Sequence, residues 1–213
     1  MIKIYYAYTD ILPTNRMDQL ETKIPERERL KLDRFRRKED KLLHLTAILL
    51  LSKALRENGF DRYRLQDLCF TNEGRPFFQN ESFDFNISHS GNMAALAFSN
   101  KGRVGIDLET IVDVDFVDFE TVFSREVWDK IHASDSPIRQ FFFFWTQLES
   151  AVKADGRGLP VLSTAHTKIL KDLVLIDGKE WSSHPINLDP SISCCVSSES
   201  KDDAIERIEI KTI

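Results

Sequence analysis

The sequence predicts an α+β protein in which two similar α/β halves pack against each other. Two observations lead there. The predicted elements run strand, helices, strands, and then repeat that order. Phe85 to Phe98 and Ile186 to Val196 each read as a strand, a turn and an apolar strand. The repeat sets a boundary near residues 100–104, giving halves 1–103 and 104–213.

In chain order, Met1 to Tyr8 suits a first strand over 2–8. Thr9 to Ile24 reads as a turn followed by a short helix around Arg16 to Glu21. From Pro25 the chain is dense in helix formers, with Pro25 at a first turn and Glu26 and Glu28 against the helix dipole. Residues 27–41 hold eight basic side chains against four acidic ones. In a chain of net charge −5, that local inversion suggests either a landing place for an anion or a solvated helix face with internal ion pairs. A helix over Asp40 to Glu57 then stops at Asn58-Gly59. Short strands follow at Leu68 to Thr71, Phe77-Phe78, Phe83 to Ile87, Met93 to Phe98 and Val104 to Glu109. Turn-forming clusters at Asn72 to Pro76 and Ser88 to Asn92 separate them. Ser124 is a candidate N-cap for the next helical stretch, which closes with a helix from Phe141 to Leu159. Gly156 and Gly158 supply its stop. Late strands are expected near 168–176, 179–187, 192–198 and 204–210.

Composition excludes several classes. The acidic balance argues against a general nucleic-acid binder. The longest apolar run, Leu42 to Leu51, is interrupted by His44 and Thr46 and cannot span a bilayer. Residues 1–8 are too short and aromatic for a signal-peptide core. Cys69, Cys194 and Cys195 lie in apolar strand-like runs without metal spacing, which favours reduced thiols in a cytoplasmic protein.

Asp107 and Glu109 in V-G-I-D-L-E are two apart on a strand, so both carboxylates face one way and Ile106 and Leu108 the other. Such a pair repels itself unless a cation intervenes, or else it marks a strand end fraying into solvent. Trp145, Glu149 and Lys153 share a helix stripe. Glu149 and Lys153 alone would read as a surface ion pair. Were Glu149 to pack beside Asp107 and Glu109, three carboxylate oxygens would suit Mg²⁺. His89, in F-N-I-S-H-S-G, reads as a turn residue, either in a phosphate nest or simply solvated.

G-R-P-F at 74–77, F-N-I-S-H-S-G at 85–91, G-I-D-L-E at 105–109 and W-T-Q-L-E-S-A-V-K-A-D-G-R-G-L at 145–159 occur in that order. Together with R-F-R-R-K-E-D at 34–40, they resemble the 4′-phosphopantetheinyl transferases of the surfactin-synthetase-activating type, built as an internal pseudo-dimer. The resemblance implies transfer of 4′-phosphopantetheine from coenzyme A to a serine of an apo acyl- or peptidyl-carrier protein, with release of 3′,5′-ADP. It implies Mg²⁺ (Mn²⁺ as an alternative) on Asp107, Glu109 and Glu149, Lys153 on the diphosphate, and Glu149 as base, directly or through a water. Ser88 and His89 would contact the coenzyme's phosphates, Gly74, Arg75 and Pro76 would border its adenine, and Lys31 and Arg36 would lie toward its 3′-phosphate. On this resemblance the first half carries the adenine and 3′-phosphate side and the second the metal, the catalytic residues and, at 110–123, a carrier-docking region. A monomer is expected, because the halves already supply the interface.

Two positions depart from the family pattern. Leu148 stands where a lysine commonly precedes the glutamate, and Leu43-His44 where an arginine is common. Loss of a cation on the diphosphate side, and looser holding of the 3′-phosphate or its transfer to Lys41 or His44, are the expected consequences. They leave open a homologue that binds coenzyme A or a carrier without catalysis. A metal-dependent nuclease or phosphatase using the same carboxylates is the third reading.

Overall fold

The computed structural model describes residues 1–12, 20–22, 24–63, 65–79 and 81–212. Most of the helix expected around Arg16 to Glu21 lies outside them. The first sheet contains β1 (Ile2–Tyr8), β4 (Asp84–Ser90), β5 (Met93–Ser99) and β11 (Ile205–Glu209), ordered β11-β1-β5-β4. The second contains β6 (Val104–Thr110), β7 (Thr167–Ile169), β8 (Leu173–Ile176), β9 (Lys179–Pro185) and β10 (Ile192–Ser198), ordered β6-β10-β9-β8-β7. A two-stranded ribbon pairs β2 (Cys69–Phe70) with β3 (Pro76–Phe77). The helices are α1 (Glu26–Leu32), α2 (Lys38–Glu57), α3 (Arg125–His132) and α4 (Pro137–Asp155). None of the described helices is long and apolar enough to cross a membrane.

Strand alternation builds the layers. Tyr5, Ala7, Leu96 and Phe98 face the leucine-rich side of α2 in one core. On the opposite faces, Ile2, Ile4, Met93, Ala95 and Ala97 meet Val104, Ile106, Leu108, Cys194 and Val196 of the second sheet in another. A third core lies between the second sheet and α4, around Phe141, Phe144, Leu148, Val174 and Trp181. The order is therefore helix, sheet, sheet, helix. Strand β5 is buried at every residue because both its faces are covered. The α+β prediction of two halves sharing one interface describes this architecture. Strand β11 comes from the end of the chain yet pairs in parallel with β1, so a cut at 103/104 would part it from the sheet it completes.

Two boundaries differ from the sequence expectation. Helix α4 begins at Pro137, ahead of Phe141. The segment near 168–176 is a hairpin of two strands, β7 and β8. The glycine stop is where the sequence places it: helix α4 closes at Asp155, and Gly156 takes φ 89° and donates its N–H to the Val152 carbonyl at 2.9 Å.

Candidate active site

The two sheets meet along their edges β4 and β6, joined by a side-chain ladder. Asp84 Oδ2, Asn86 Oδ1, Ser88 Oγ and Ser90 Oγ accept from the backbone N–H groups of Val104, Ile106, Leu108 and Thr110, at 2.8, 3.0, 3.3 and 3.1 Å. Every second residue of β4 thus stands in for a main-chain carbonyl. The two serine hydroxyls also donate to carboxylates of β6: Ser88 to Asp107 Oδ1 at 3.0 Å and Ser90 to Glu109 Oε2 at 2.7 Å. Ser88 and His89, expected in a turn, lie on a strand that runs on to Ser90 because this ladder holds it extended. No nest of turn amides forms around His89; its imidazole pKa is lowered by burial and by the charges of Lys153 and His44.

Helix α4 lies against β6 at the close range that small residues permit. A Cβ on Gly105 would collide with the Ser150 carbonyl and the Ala154 amide. Thr146 and Ser150 meet Ser193 and Ser197 of β10 through hydroxyl contacts at 3.0 and 2.8 Å. This approach carries Glu149 and Lys153 to the face of β6 that presents Asp107 and Glu109. Ile106 and Leu108 face the intersheet core, as the alternation predicts.

Lys153 does not form the surface pair with Glu149 that its spacing alone suggested. Its Nζ donates to Asp107 Oδ1 at 2.6 Å and to Ser88 Oγ at 3.0 Å. Asp107 is only 2% exposed, and burial raises its pKa against the opposing pull of Lys153. Glu109 is raised by burial and by Asp107. Glu149, half-buried, is pushed up to about 7 by burial, then by Asp107 and Glu109, with Lys153 opposing. The three carboxylates therefore sense one another. Among the described residues, however, no three His, Cys, Asp or Glu side chains are gathered as a set of metal ligands. The donor chemistry still fits a hard divalent cation. Lys153 pairs with Asp107 alone, and Asp107 Oδ2 is buried without a hydrogen-bond partner.

Asp107, Glu109 and Lys153 line the inner end of a cavity of about 300 Å³, which continues past Ser88 and His89 to Phe70, Lys31, Glu28 and His44. A second cavity of about 290 Å³ lies across Lys153 and Pro76, lined by Gly74, Arg75, Glu149 and Gly158 among others.

The sequence profile described as "4′-phosphopantetheinyl transferase, N-terminal" matches residues 13–101, and that of the "4′-phosphopantetheinyl transferase superfamily" matches 103–207. The chain belongs to this superfamily. Among named relatives, the 4′-phosphopantetheinyl transferase gsp of Aneurinibacillus migulanus is 38% identical over 108 residues, 46% of this chain and 45% of that one. The transferase Sfp of Bacillus subtilis is 29% identical over 165 residues, 74% of this chain and 72% of that one. The transferase psf-1 of Bacillus pumilus is 27% identical over 213 residues, 92% of this chain and 87% of that one. The matches of higher identity, such as that to gsp, span about half the relative's length.

The remaining motif residues of this transferase-superfamily chain divide. Lys31, Pro76, Ser88 and His89 line the cavity with Asp107, Glu109 and Lys153. Arg36 is exposed in the break between α1 and α2 and does not line it. Arg75 turns inward: its guanidinium bonds Asp84 Oδ2 at 2.5 Å, the Val104 carbonyl at 2.9 Å and the Lys153 carbonyl, stapling β4, β6 and α4 together. Leu148 is fully buried in the core behind α4, on a different face of the helix from the carboxylates. Sequence reasoning missed Glu28, Asp84, Asn86 and Ser90. The last three carry a readable signal, small polar acceptors at every second position from 84 to 90.

Proposed function

We propose that this chain transfers the 4′-phosphopantetheine group of coenzyme A to a serine of an apo acyl- or peptidyl-carrier protein, in a magnesium-dependent reaction that releases 3′,5′-ADP. What supports this reading is the ion pair of Lys153 with buried Asp107 at the seam between the sheets, with Glu109 and Glu149 near enough to feel its charge, in a chain of this superfamily. Lys153 and Ser88 reach the cavity as donors for diphosphate oxygens. Glu149, with a pKa near neutrality, is suited to accept the proton of the attacking serine hydroxyl. Attack at the phosphorus bearing pantetheine breaks the diphosphate bond, and negative charge grows on the departing 3′,5′-ADP, which Lys153 is placed to offset. A divalent ion on Asp107, Glu109 and Glu149, when bound, would supply further charge neutralisation at the diphosphate.

For the partner, Phe116, Val117 and Trp128 line an open cavity of about 540 Å³ beside the 110–123 segment, with Val117 65% exposed, and offer a carrier an apolar surface. The reading includes action as a monomer in the cytoplasm. The test is mass spectrometry of several apo carriers incubated with the chain, coenzyme A and Mg²⁺, in which one phosphopantetheine is added per carrier. Glu149→Gln is expected to lower transfer by about 10²–10⁴-fold while leaving the fold intact. No addition on any carrier, combined with stabilisation by coenzyme A, would instead favour a homologue that binds without catalysis.

A further inference from the structure

The C-terminal end of α4 bears on how Lys153 is held, an inference that rests on the transferase reading above. The last four carbonyls of a helix have no partner within it. In α4 they belong to Val152, Lys153, Ala154 and Asp155. The Gly156 N–H takes the first, and two arginines from outside the helix take the others. Arg75 donates to the Lys153 carbonyl through Nη1. Arg103 donates to the Ala154 carbonyl through Nε at 3.1 Å and to the Asp155 carbonyl through Nη2 at 3.0 Å. Both guanidiniums also meet the partial negative charge that collects at this end of a helix.

The arginines are themselves anchored. Asp84 Oδ2 accepts from Arg75 at 2.5 Å and from the Val104 N–H at 2.8 Å, and lies 3.9 Å from Arg103 Nε. It is the countercharge shared by two cations. The Arg103 main-chain N–H donates to Glu199 Oε2 at 3.0 Å, just past the end of β10. The last turn of α4 is thereby tied to the first residue of β6. Lys153 lies in that last turn and Asp107 in that strand, so the tie fixes the separation spanned by the 2.6 Å contact between Lys153 Nζ and Asp107 Oδ1. A helix end freed of its cap frays within its last turn. Arg103 lines neither of the two cavities at the seam, so it reaches the chemistry only through α4.

We propose that Arg103 is a positioning residue for the transfer reaction. By holding the last two carbonyls of α4 it fixes Lys153 against Asp107, and so sets where the ammonium meets the diphosphate of the coenzyme.

The experiment measures KM for coenzyme A and for one apo carrier separately, with the full chain and Mg²⁺, in the wild type, Arg103→Lys and Arg103→Met. The Arg103 side chain is 41% exposed, so neither change opens a core. Arg103→Met removes every donor and is expected to raise KM for coenzyme A about tenfold, the scale of a weakened charge-assisted hydrogen bond, with KM for the carrier unchanged. Arg103→Lys keeps the charge but lacks the planar fork that serves two carbonyls at once, and a rise of about threefold is expected. A loss of folded protein alone would lower the maximal rate and leave both KM values where they were. If Arg103→Met does not fold, the comparison of Arg103→Lys with the wild type carries the test. A KM for coenzyme A unchanged in every variant that folds, or an equal rise for the carrier, overturns this inference alone. No transfer to any carrier by the wild-type chain overturns the transferase reading, and this inference with it.

Discussion

The two ends of the cavity use the same residue types in opposite proportion. At the inner end Lys153 pairs with Asp107 and its charge also acts on Glu109 and on Glu149 of the adjoining cavity, whereas at the outer end Glu28 alone holds Lys31 and His44. The pKa directions follow the ratio. Glu149 is pushed up to about 7 by burial and its acidic neighbours. Glu28 is buried as well, which opposes ionisation, but hydrogen bonds from His44 and Lys31 outweigh burial and hold it below its ordinary value. Carboxylates outnumber cations at the inner end, which favours the protonated form of Glu149. At the outer end Glu28 balances Lys31 and His44, while His89 and, on the Phe70 ring, Arg27 lie beyond its contacts.

The harshest way to break this contrast is to remove the inner end's cation. Lys153→Met would leave Asp107 charged, 2% exposed and unpaired, at a cost of about 3–5 kcal/mol in unfolding free energy. Denaturant titration measures it, and adding Asp107→Asn should recover much of the loss. A loss under about 1 kcal/mol would mean that Lys153 holds no buried charge in solution. Next in size is Gly105→Ala, which forces α4 away from β6 and so separates Lys153 from Asp107. About 1–3 kcal/mol is expected, with reduced carrier modification alongside. Unaltered stability and rate would show that the close approach is not needed to assemble the inner end.

How much of this was legible beforehand depended on the range over which each feature is encoded. The facing of Asp107 and Glu109 follows from a period of two within six residues, and the stop at Gly156 from glycine's access to positive φ. The pairing of Lys153 with Asp107 spans 46 residues, and nothing at either position announces it. His89 was misplaced because S-H-S-G looks like a turn; the hairpin begins only at Gly91, since Ser88 and Ser90 bond to β6 amides some 20 residues away. Arg75 looked available to a ligand because its carbonyl partners belong to β6 and α4. Glu28 read as an ordinary first-turn acid. Its inward orientation depends on α2 bringing His44 against it, a tertiary fact.

The smallest effect separates the two ends by the sign of their response to pH, measured on the metal-free chain. Glu149 has a folded-state pKa above its ordinary value of 4.5. Its contribution to stability is therefore fully present below about pH 4.5 and is lost as pH rises through about 7. Asp107 and Glu109 are raised too and act in the same sense. Glu28 is lowered, so its contribution is present above 4.5 and is lost as pH falls through its folded-state value. Glu149→Gln should then flatten the decline of unfolding free energy between about pH 5 and 7 without altering the acid limb. Glu28→Gln should soften the acid limb and leave the neutral decline in place. If Glu149→Gln leaves the slope between about pH 5 and 7 as steep as before, Glu149 does not carry the inner end's excess charge. The opposition between the two ends would then rest on Asp107 and Glu109 alone.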